Sequence, residues 1–311
     1  LKKVTVKAPA TIANFGPGFD IFAIALENPR DIITIELNDT GAININIVGR
    51  DEGIPSSAEA NSAGIAASEF FKRVGKIKGI NVEIRKQVRS CSGLGTSGAS
   101  AVACVYGLNK LLDADLNPDG IIDIARQGEC ATGSAAHADN VAGCLLGGFV
   151  MIKSYSPFIV ERMELPDIPI VISVMKKAQK TTRGLIPDRF PLDKVKEQMS
   201  CCASLILAIL SRDLKKIGEA INIDHISEPV RSSFIPGYND IKKKVLEAGA
   251  YGCNVSGGGS SVFALCEEDK TEKIAEIMEA LSRQHGLDNE IIITRSSNIG
   301  LVEIDEAKDG L

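Results

Sequence analysis

Ser92-Gly93-Leu94-Gly95-Thr96-Ser97-Gly98-Ala99-Ser100 is the densest chemical signal in the chain. It follows the alternating run Val82–Val88, which reads as a half-buried strand, and it opens an apolar stretch, Ser97–Leu112, that reads as a helix. Glycines let backbone N–H groups approach an anion closely. The helix N-terminus behind them adds unsatisfied donors and the positive end of a dipole. Thr96, Ser97 and Ser100 add hydroxyls for phosphate oxygens or a hard cation. These residue types point to a phosphate cradle; the bland alternative is a turn that only joins strand to helix.

Two other phosphate-binding patterns fit less well. Gly93, Gly95 and Gly98 satisfy G-x-G-x-x-G, with Asp113 or Asp115 near the place of a ribose-binding acid. A Rossmann strand runs straight into its first glycine, whereas Arg89-Ser90-Cys91-Ser92 intervene here, and several strand-like runs precede the loop. The string G-x-x-x-x-G-K-[ST] is absent.

Outward from the loop, Val4–Val6, Ile32–Leu37 and Ile43–Val48 read as strands, and Asn61–Val74 as a helix with Asn61 or Ser62 near its start. Asn117-Pro118 is an N-cap followed by proline at the first helical position, opening a helix to about Ala131; Gly147–Ile152 is a strand. The pattern then restarts. Ile168–Met175, Cys253–Val255, Val262–Cys266, Glu290–Thr294 and Leu301–Ile304 read as strands. Asp193–Ser211, Asp213–Asn222, Tyr238–Ala248 and Lys270–His285 read as helices. The expectation is two α+β domains, 1–155 and 156–311, joined near 153–165.

Composition narrows the function. A chain of 311 residues exceeds one ordinary hydrophobic core. With 44% hydrophobic and 24% charged residues it is globular, and without Trp its core must be aliphatic. A net charge of −5 leaves no basic surplus to displace counterions, which argues against a nucleic-acid partner. The eight cysteines, at 91, 104, 130, 144, 201, 202, 253 and 266, form no C-x-x-C pair and read as small buried hydrophobes in a reducing compartment. Lys2, Lys3 and Lys7 are followed by no uninterrupted apolar run, so no signal peptide is read. Met199–Leu210 is too short to span a bilayer, and a cytoplasmic location is expected.

Three segments in this order resemble the GHMP (galactokinase, homoserine kinase, mevalonate kinase, phosphomevalonate kinase) superfamily. The first is Lys7-Ala8-Pro9-Ala10-Thr11-Ile12-Ala13-Asn14-Phe15-Gly16-Pro17-Gly18-Phe19-Asp20. The second is the 93–100 loop, similar to the family's G-L-G-S-S-x-A-S; the third is Asn254-Val255-Ser256-Gly257-Gly258-Gly259-Ser260-Ser261-Val262-Phe263, similar to its S-G-x-G motif. The A-N-x-G-P-G-F-D form resembles the homoserine kinases. So does Glu129 followed by Gly133-Ser134-Ala135-Ala136-His137-Ala138-Asp139-Asn140-Val141-Ala142, similar to their E…G-H-x-D-N-V. Ala138 stands where a proline is common, Ser97-Gly98 replaces Ser-Ala, and no proline precedes the glycine loop.

The resemblance implies a ribosomal-protein-S5-like α/β N-terminal domain, a ferredoxin-like C-terminal domain, an active site between them and a homodimer. It implies ATP- and Mg²⁺-dependent phosphorylation of the side-chain hydroxyl of L-homoserine, in threonine biosynthesis. ATP would lie on Asn61, Ser92, Gly93, Leu94, Gly95, Thr96, Ser97, Gly98 and Ser100, with Ser97 and Glu129 as Mg²⁺ ligands. Asp20 would accept the amine beside Asn14, and Arg183 and Arg231 would fork onto the carboxylate. His137 and Asn140 would orient the hydroxyl, leaving Asp139 a loop-anchoring role and the reaction without an obligatory base. Another GHMP kinase, acting on mevalonate or shikimate, is the enzymatic alternative. A non-catalytic ligand sensor is the other, and it predicts a lost phosphate loop or Mg²⁺ ligand; neither is lost here.

Overall fold

The structure is a computed structural model describing residues 2–50, 53–76, 78–89, 92–132, 136–175, 182–258 and 260–305. Ser90, Cys91, 133–135, Thr181 and Gly259, among them several quoted above within motifs, lie outside the described residues.

The first part of the chain gives β1 (Lys3–Ala13), β2 (Phe22–Asn38), β3 (Ile43–Gly49), α1 (Ser62–Val74), β4 (Gly79–Lys86), α2 (Thr96–Leu111), α3 (Pro118–Ala125), α4 (Asp139–Leu146), β5 (Phe149–Tyr155) and β6 (Phe158–Met163). The second gives β7 (Pro169–Met175), α5 (Leu192–Leu210), α6 (Leu214–Ile221), α7 (Glu228–Arg231), α8 (Tyr238–Glu247), β8 (Gly252–Ser256), β9 (Ser261–Leu265), α9 (Thr271–Gln284), β10 (Asn289–Arg295) and β11 (Val302–Ile304).

One sheet runs β11-β1-β2-β4-β3, with β5 paired to the start of β2 and β6 to β5; only β3 and β4 are parallel. The other runs β10-β7-β9-β8, all antiparallel, and its strand, helices, strand, strand, helix, strand order is ferredoxin-like. The α+β reading holds. The expected division at 155/156 falls at the β5–β6 hairpin, and β11 returns to pair with β1 in the first sheet.

Three cores hold these layers. In the first, Ile33 and Ile35 of β2 and Ile80, Val82 and Ile84 of β4 face α1 to α4. Helix α2 is buried on nearly every side, as its Ala, Val, Cys and Gly content permits. The second core joins the layers: Ile12, Ile24, Leu94 and Phe149 meet Ile170, Ile172, Leu205 and Phe263. In the third, Val171, Val262 and Ala264 face α8 and α9 through Ile241, Val245, Ile274 and Met278. Alternate residues of β7 thus enter different cores, which is why its sequence is an unbroken apolar run.

Some expectations need correction. The helix read as reaching Ala131 ends at Ala125 and tightens into a 3₁₀ segment over Arg126–Thr132. Gly128 lies so close to Ser62 that a Cβ would sit 2.5 Å from its carbonyl oxygen. The strand read over Val82–Val88 ends at Lys86, and Val88 turns into the core between the layers. β6, α4, α7 and the first half of β2 are additions to the sequence reading: the strands lack clean apolar–polar alternation, α4 opens on Ala138 with no capping side chain, and α7 is only four residues long.

Candidate active site

β1 runs into a tight loop over 14–20 in which Asn14, Phe15 and Asp20 have φ of 66°, 41° and 62°. Left-handed backbone at a residue other than glycine costs about 1–3 kcal/mol and needs surrounding structure to hold it. Phe15 is fully buried and stacked on Phe263, 5.9 Å between centroids, and the Asp20 N–H donates to Asn14 Oδ1 at 3.1 Å. Gly18 has no room for a side chain, since a Cβ would lie 2.0 Å from the Phe22 ring. This loop is one wall of a cleft of about 420 Å³ built from both layers.

The glycine loop forms the floor. Ser92, Gly93, Gly95, Thr96, Ser97 and Ser100 line the cleft; the Leu94 side chain enters the core between the layers, and Gly98 packs against Asn140 and Val141. A Cβ at Gly95 would lie 2.0 Å from Thr11 Oγ1. The C-terminal motif braces the loop from behind, Ser256 Oγ donating to the Gly93 carbonyl at 2.7 Å and Ser261 Oγ to that of Ser92 at 2.5 Å. The α2 N-terminus is therefore presented to the cleft with its orphan N–H groups forward. Asn61 borders the cleft and caps α1, its Oδ1 accepting from the Ala63 N–H at 2.9 Å.

The sequence reading misses Lys86, which borders the cleft, and its partner Asp31 behind it. Both are buried and ion-paired at 2.8 Å, and Lys86 Nζ also donates to the Thr96 carbonyl (2.6 Å) and Ser100 Oγ (2.8 Å), fixing the first turn of α2. A period-2 signal is available, since Lys86 is in phase with Ile80, Val82 and Ile84, and Asp31 with Ile33 and Ile35. Two charges on inward faces of neighbouring strands require each other.

Glu129 is buried beside Ser97, and burial raises its carboxyl to about 7 against the relief given by the Ser97 hydroxyl; repulsion from Asp139 adds to the rise. Asp139 is also lifted to about 7, first by burial and then by Asp20, while its Oδ1 accepts from the Asn140 N–H at 3.0 Å. Asn140 Oδ1 accepts from Thr11 Oγ1 at 2.7 Å, so its amide N–H₂ is left as the group it can offer to the cleft.

At the other end, Asp20 is paired with Arg183 at 2.5 Å and has His137 Nδ1 at 3.5 Å. Both arginines stack on Phe19, the Arg183 and Arg231 guanidinium carbons 4.6 and 5.2 Å from its ring centre. Arg231 is 5% exposed, and its Nε and Nη1 have no hydrogen-bond partner among the described residues. Burial lowers its pKa, opposed by Asp20, Asp224 and Asp139. His137 is held below its usual range by burial, partly offset by Asp20. Arg126 stacks on Tyr155 and Phe158 and donates to the Ala136 carbonyl at 3.1 Å, holding the approach to His137. Every predicted substrate-side residue thus borders one cleft, with Asp20 and Arg183 already joined to each other. Phe19 and Thr11 stand within the first motif but receive no role from the sequence reading, because neither is charged and their contacts come from distant parts of the chain.

Residues 61–148 match the GHMP kinases N terminal domain family and residues 205–284 the GHMP kinases C terminal family. Homoserine kinase of Methanocella arvoryzae is 35% identical, covering 94% of this chain and 95% of its own. That of Pyrococcus abyssi is 36% identical, covering 94% and 97%. The chain belongs to the homoserine kinase family of the GHMP kinases. A crystal structure of homoserine kinase from Cytophaga hutchinsonii superimposes with a TM-score of 0.88 at 35% identity, covering 98% of both chains. Membership of the homoserine kinases agrees with the A-N-x-G-P-G-F-D and G-H-x-D-N-V resemblances noted above.

Proposed function

We propose that the enzyme transfers the γ-phosphoryl of ATP to the side-chain hydroxyl of L-homoserine, giving O-phospho-L-homoserine for threonine biosynthesis. The observation that carries this is Arg231, a buried guanidinium with unpartnered N–H groups, in the same cleft as Asp20 and the glycine loop. A cation and an anion beside a phosphate cradle fit an amino acid bearing a hydroxyl. Mevalonate and shikimate carry no amine for Asp20.

The triphosphate would lie on the glycine loop and the α2 N-terminus, with the adenine toward Asn61. Ser97 and Glu129 would hold Mg²⁺, and their donor chemistry fits: one hydroxyl, and one buried carboxyl that a cation would draw down into its charged form. Among the described residues no cluster of three or more His, Cys, Asp or Glu converges, as suits an ion held largely by phosphate oxygens and water. When bound, the ion neutralises charge on the phosphate oxygens. The carboxylate of homoserine would take Arg231 and Arg183, and its ammonium Asp20 beside Asn14. His137 and the amide N–H₂ of Asn140 would orient the hydroxyl. A loose transition state develops little charge on the attacking oxygen, so positioning and electrostatics suffice and no side chain need remove its proton first.

The further parts of this reading are an ATP-binding domain over 1–155, a second domain over 156–311, a cytoplasmic location and a homodimer. No helix among the described residues is long and apolar enough to cross a membrane. α5 exposes Leu192, Met199, Leu207 and Leu210, apolar side chains that a second copy could cover. ADP release with homoserine, mevalonate and shikimate, each with Mg·ATP, tests the main reading. Homoserine should be turned over fastest by far, and turnover of mevalonate or shikimate without homoserine would reject the assignment.

A further inference from the structure

Over residues 192–204 of α5 the only buried side chain is Gln198. An apolar residue ordinarily anchors such a helix. Here a glutamine does, and its polar atoms are all engaged. Nε2 donates to the Pro17 carbonyl at 2.5 Å and to Asp224 Oδ1 at 3.2 Å, while Oε1 accepts from the His225 N–H at 2.8 Å. Two acceptors on one side and a donor on the other fix which way round the amide lies.

Asp224 is the hub of the arrangement. This buried carboxylate accepts from the N–H groups of Ile226 (2.9 Å), Ser227 (3.1 Å) and Glu228 (3.0 Å), and from the Ser227 hydroxyl. Those donors begin α7, whose last residue is Arg231. Ser227 Oγ in turn accepts from Asn14 Nδ2 at 3.4 Å, and Asn14 Oδ1 accepts from the Asp20 N–H. The bonds close a circuit from Pro17 through Gln198, Asp224 and Ser227 to Asn14. The strained 14–20 loop is therefore tied at two points to the segment that carries Arg231, directly at Asn14 and through Gln198 of α5 at Pro17.

We propose that Gln198 is a positioning residue for the phosphoryl acceptor, fixing the Asp20 carboxylate relative to the Arg231 guanidinium. It borders neither the phosphate loop nor the acceptor itself, and the proposal rests on the reading of that acceptor as a zwitterionic amino acid. Without Gln198 the buried Pro17 carbonyl keeps only the weak thiol donor of Cys202, at 3.3 Å, one Asp224 oxygen loses a donor, and the loop's link to the Arg231 segment remains at Asn14 alone. The two charges that must meet one small molecule then lose their fixed spacing, and misplacement by about 1 Å can cost on the order of 100-fold. The glycine loop lies outside the circuit.

Gln198→Met keeps length and shape while removing all three bonds. In the ADP-release assay its KM for homoserine should rise about tenfold or more, with the KM for ATP within about twofold of the parent. Gln198→Glu keeps the acceptor for His225 and loses both donors, so it should behave like Gln198→Met. A merely structural glutamine would lower the melting temperature and leave both KM values of the folded enzyme unchanged. An unchanged homoserine KM in Gln198→Met overturns the proposal. Should that variant not fold, Ser227→Ala opens the same circuit at the Asn14 link, and the same split is expected; its absence is equally decisive. A parent that ignores homoserine but phosphorylates an alcohol without an amine overturns the acceptor reading. A homoserine-active parent with unmoved KM values in the variants overturns the positioning role alone.

Discussion

Replacing Asp139 by asparagine separates two roles that a buried carboxyl at a kinase site could have. The carboxyl is fully buried, and its pKa is raised from 3.8 to about 7. At 1.36 kcal/mol per unit, that shift sets a ceiling of about 4 kcal/mol on the cost of holding it ionised in the folded protein. Because the folded-state pKa lies above the unfolded one, the corresponding stability is present in full below about pH 3.8. It drains away as the pH rises to about 7 and is then constant. The amide of Asp139→Asn would keep an acceptor for the Asn140 N–H and carry no such dependence. Urea unfolding of both proteins at pH 5 and pH 8, without ligands, should show the variant's relative stability rising by about 2–3 kcal/mol between the two pH values. Turnover with saturating homoserine and Mg·ATP should stay within about tenfold of the parent, below the roughly 10²–10⁴-fold typical of losing a general base. Loss of turnover with both substrates still bound normally would refute the base-free mechanism, and a pKa near 7 would then suit Asp139 as the base. An unchanged pH dependence would refute the desolvated carboxyl.

Arg231→Gln and Arg183→Gln should each raise the KM for homoserine roughly 10- to 150-fold, corresponding to about 1.5–3 kcal/mol for a charge-assisted bond, with ATP affinity nearly unchanged; loss of ATP affinity alone in both would reverse the assignment. Ser97→Ala and Glu129→Gln should depress turnover and weaken the apparent Mg·ATP interaction while sparing homoserine binding measured by thermal shift.

The glycine loop is legible because its chemistry is local: glycines, hydroxyls and a helix start sit together in nine residues. The substrate side is legible only through family resemblance, since Asp20, His137, Arg183 and Arg231 are far apart in the chain and nothing in their spacing brings them together. The Lys86–Asp31 pair is within reach of strand phase alone, if the run over 82–88 is followed residue by residue. Gln198 is not: it stands among exposed neighbours, and its burial depends on where the Pro17 carbonyl arrives from another layer. The boundary at 155 rests on a restart in pattern, and sequence pattern does not show that a strand will fold back across such a restart.

That returning strand affects how the enzyme is made. β1 pairs on one side with β2 and on the other with β11, Thr5 lying opposite Ile304. A growing chain presents β1 well before its outer neighbour, which is supplied only after the described strands and helices between them have been synthesised. Until β11 emerges, that side of β1 is an open ladder of N–H and C=O groups able to capture a strand from another nascent chain. The sheet that positions the glycine loop thus stays open on this side until β11 emerges, and a ribosome that stalls before residue 302 leaves a product with an adhesive edge.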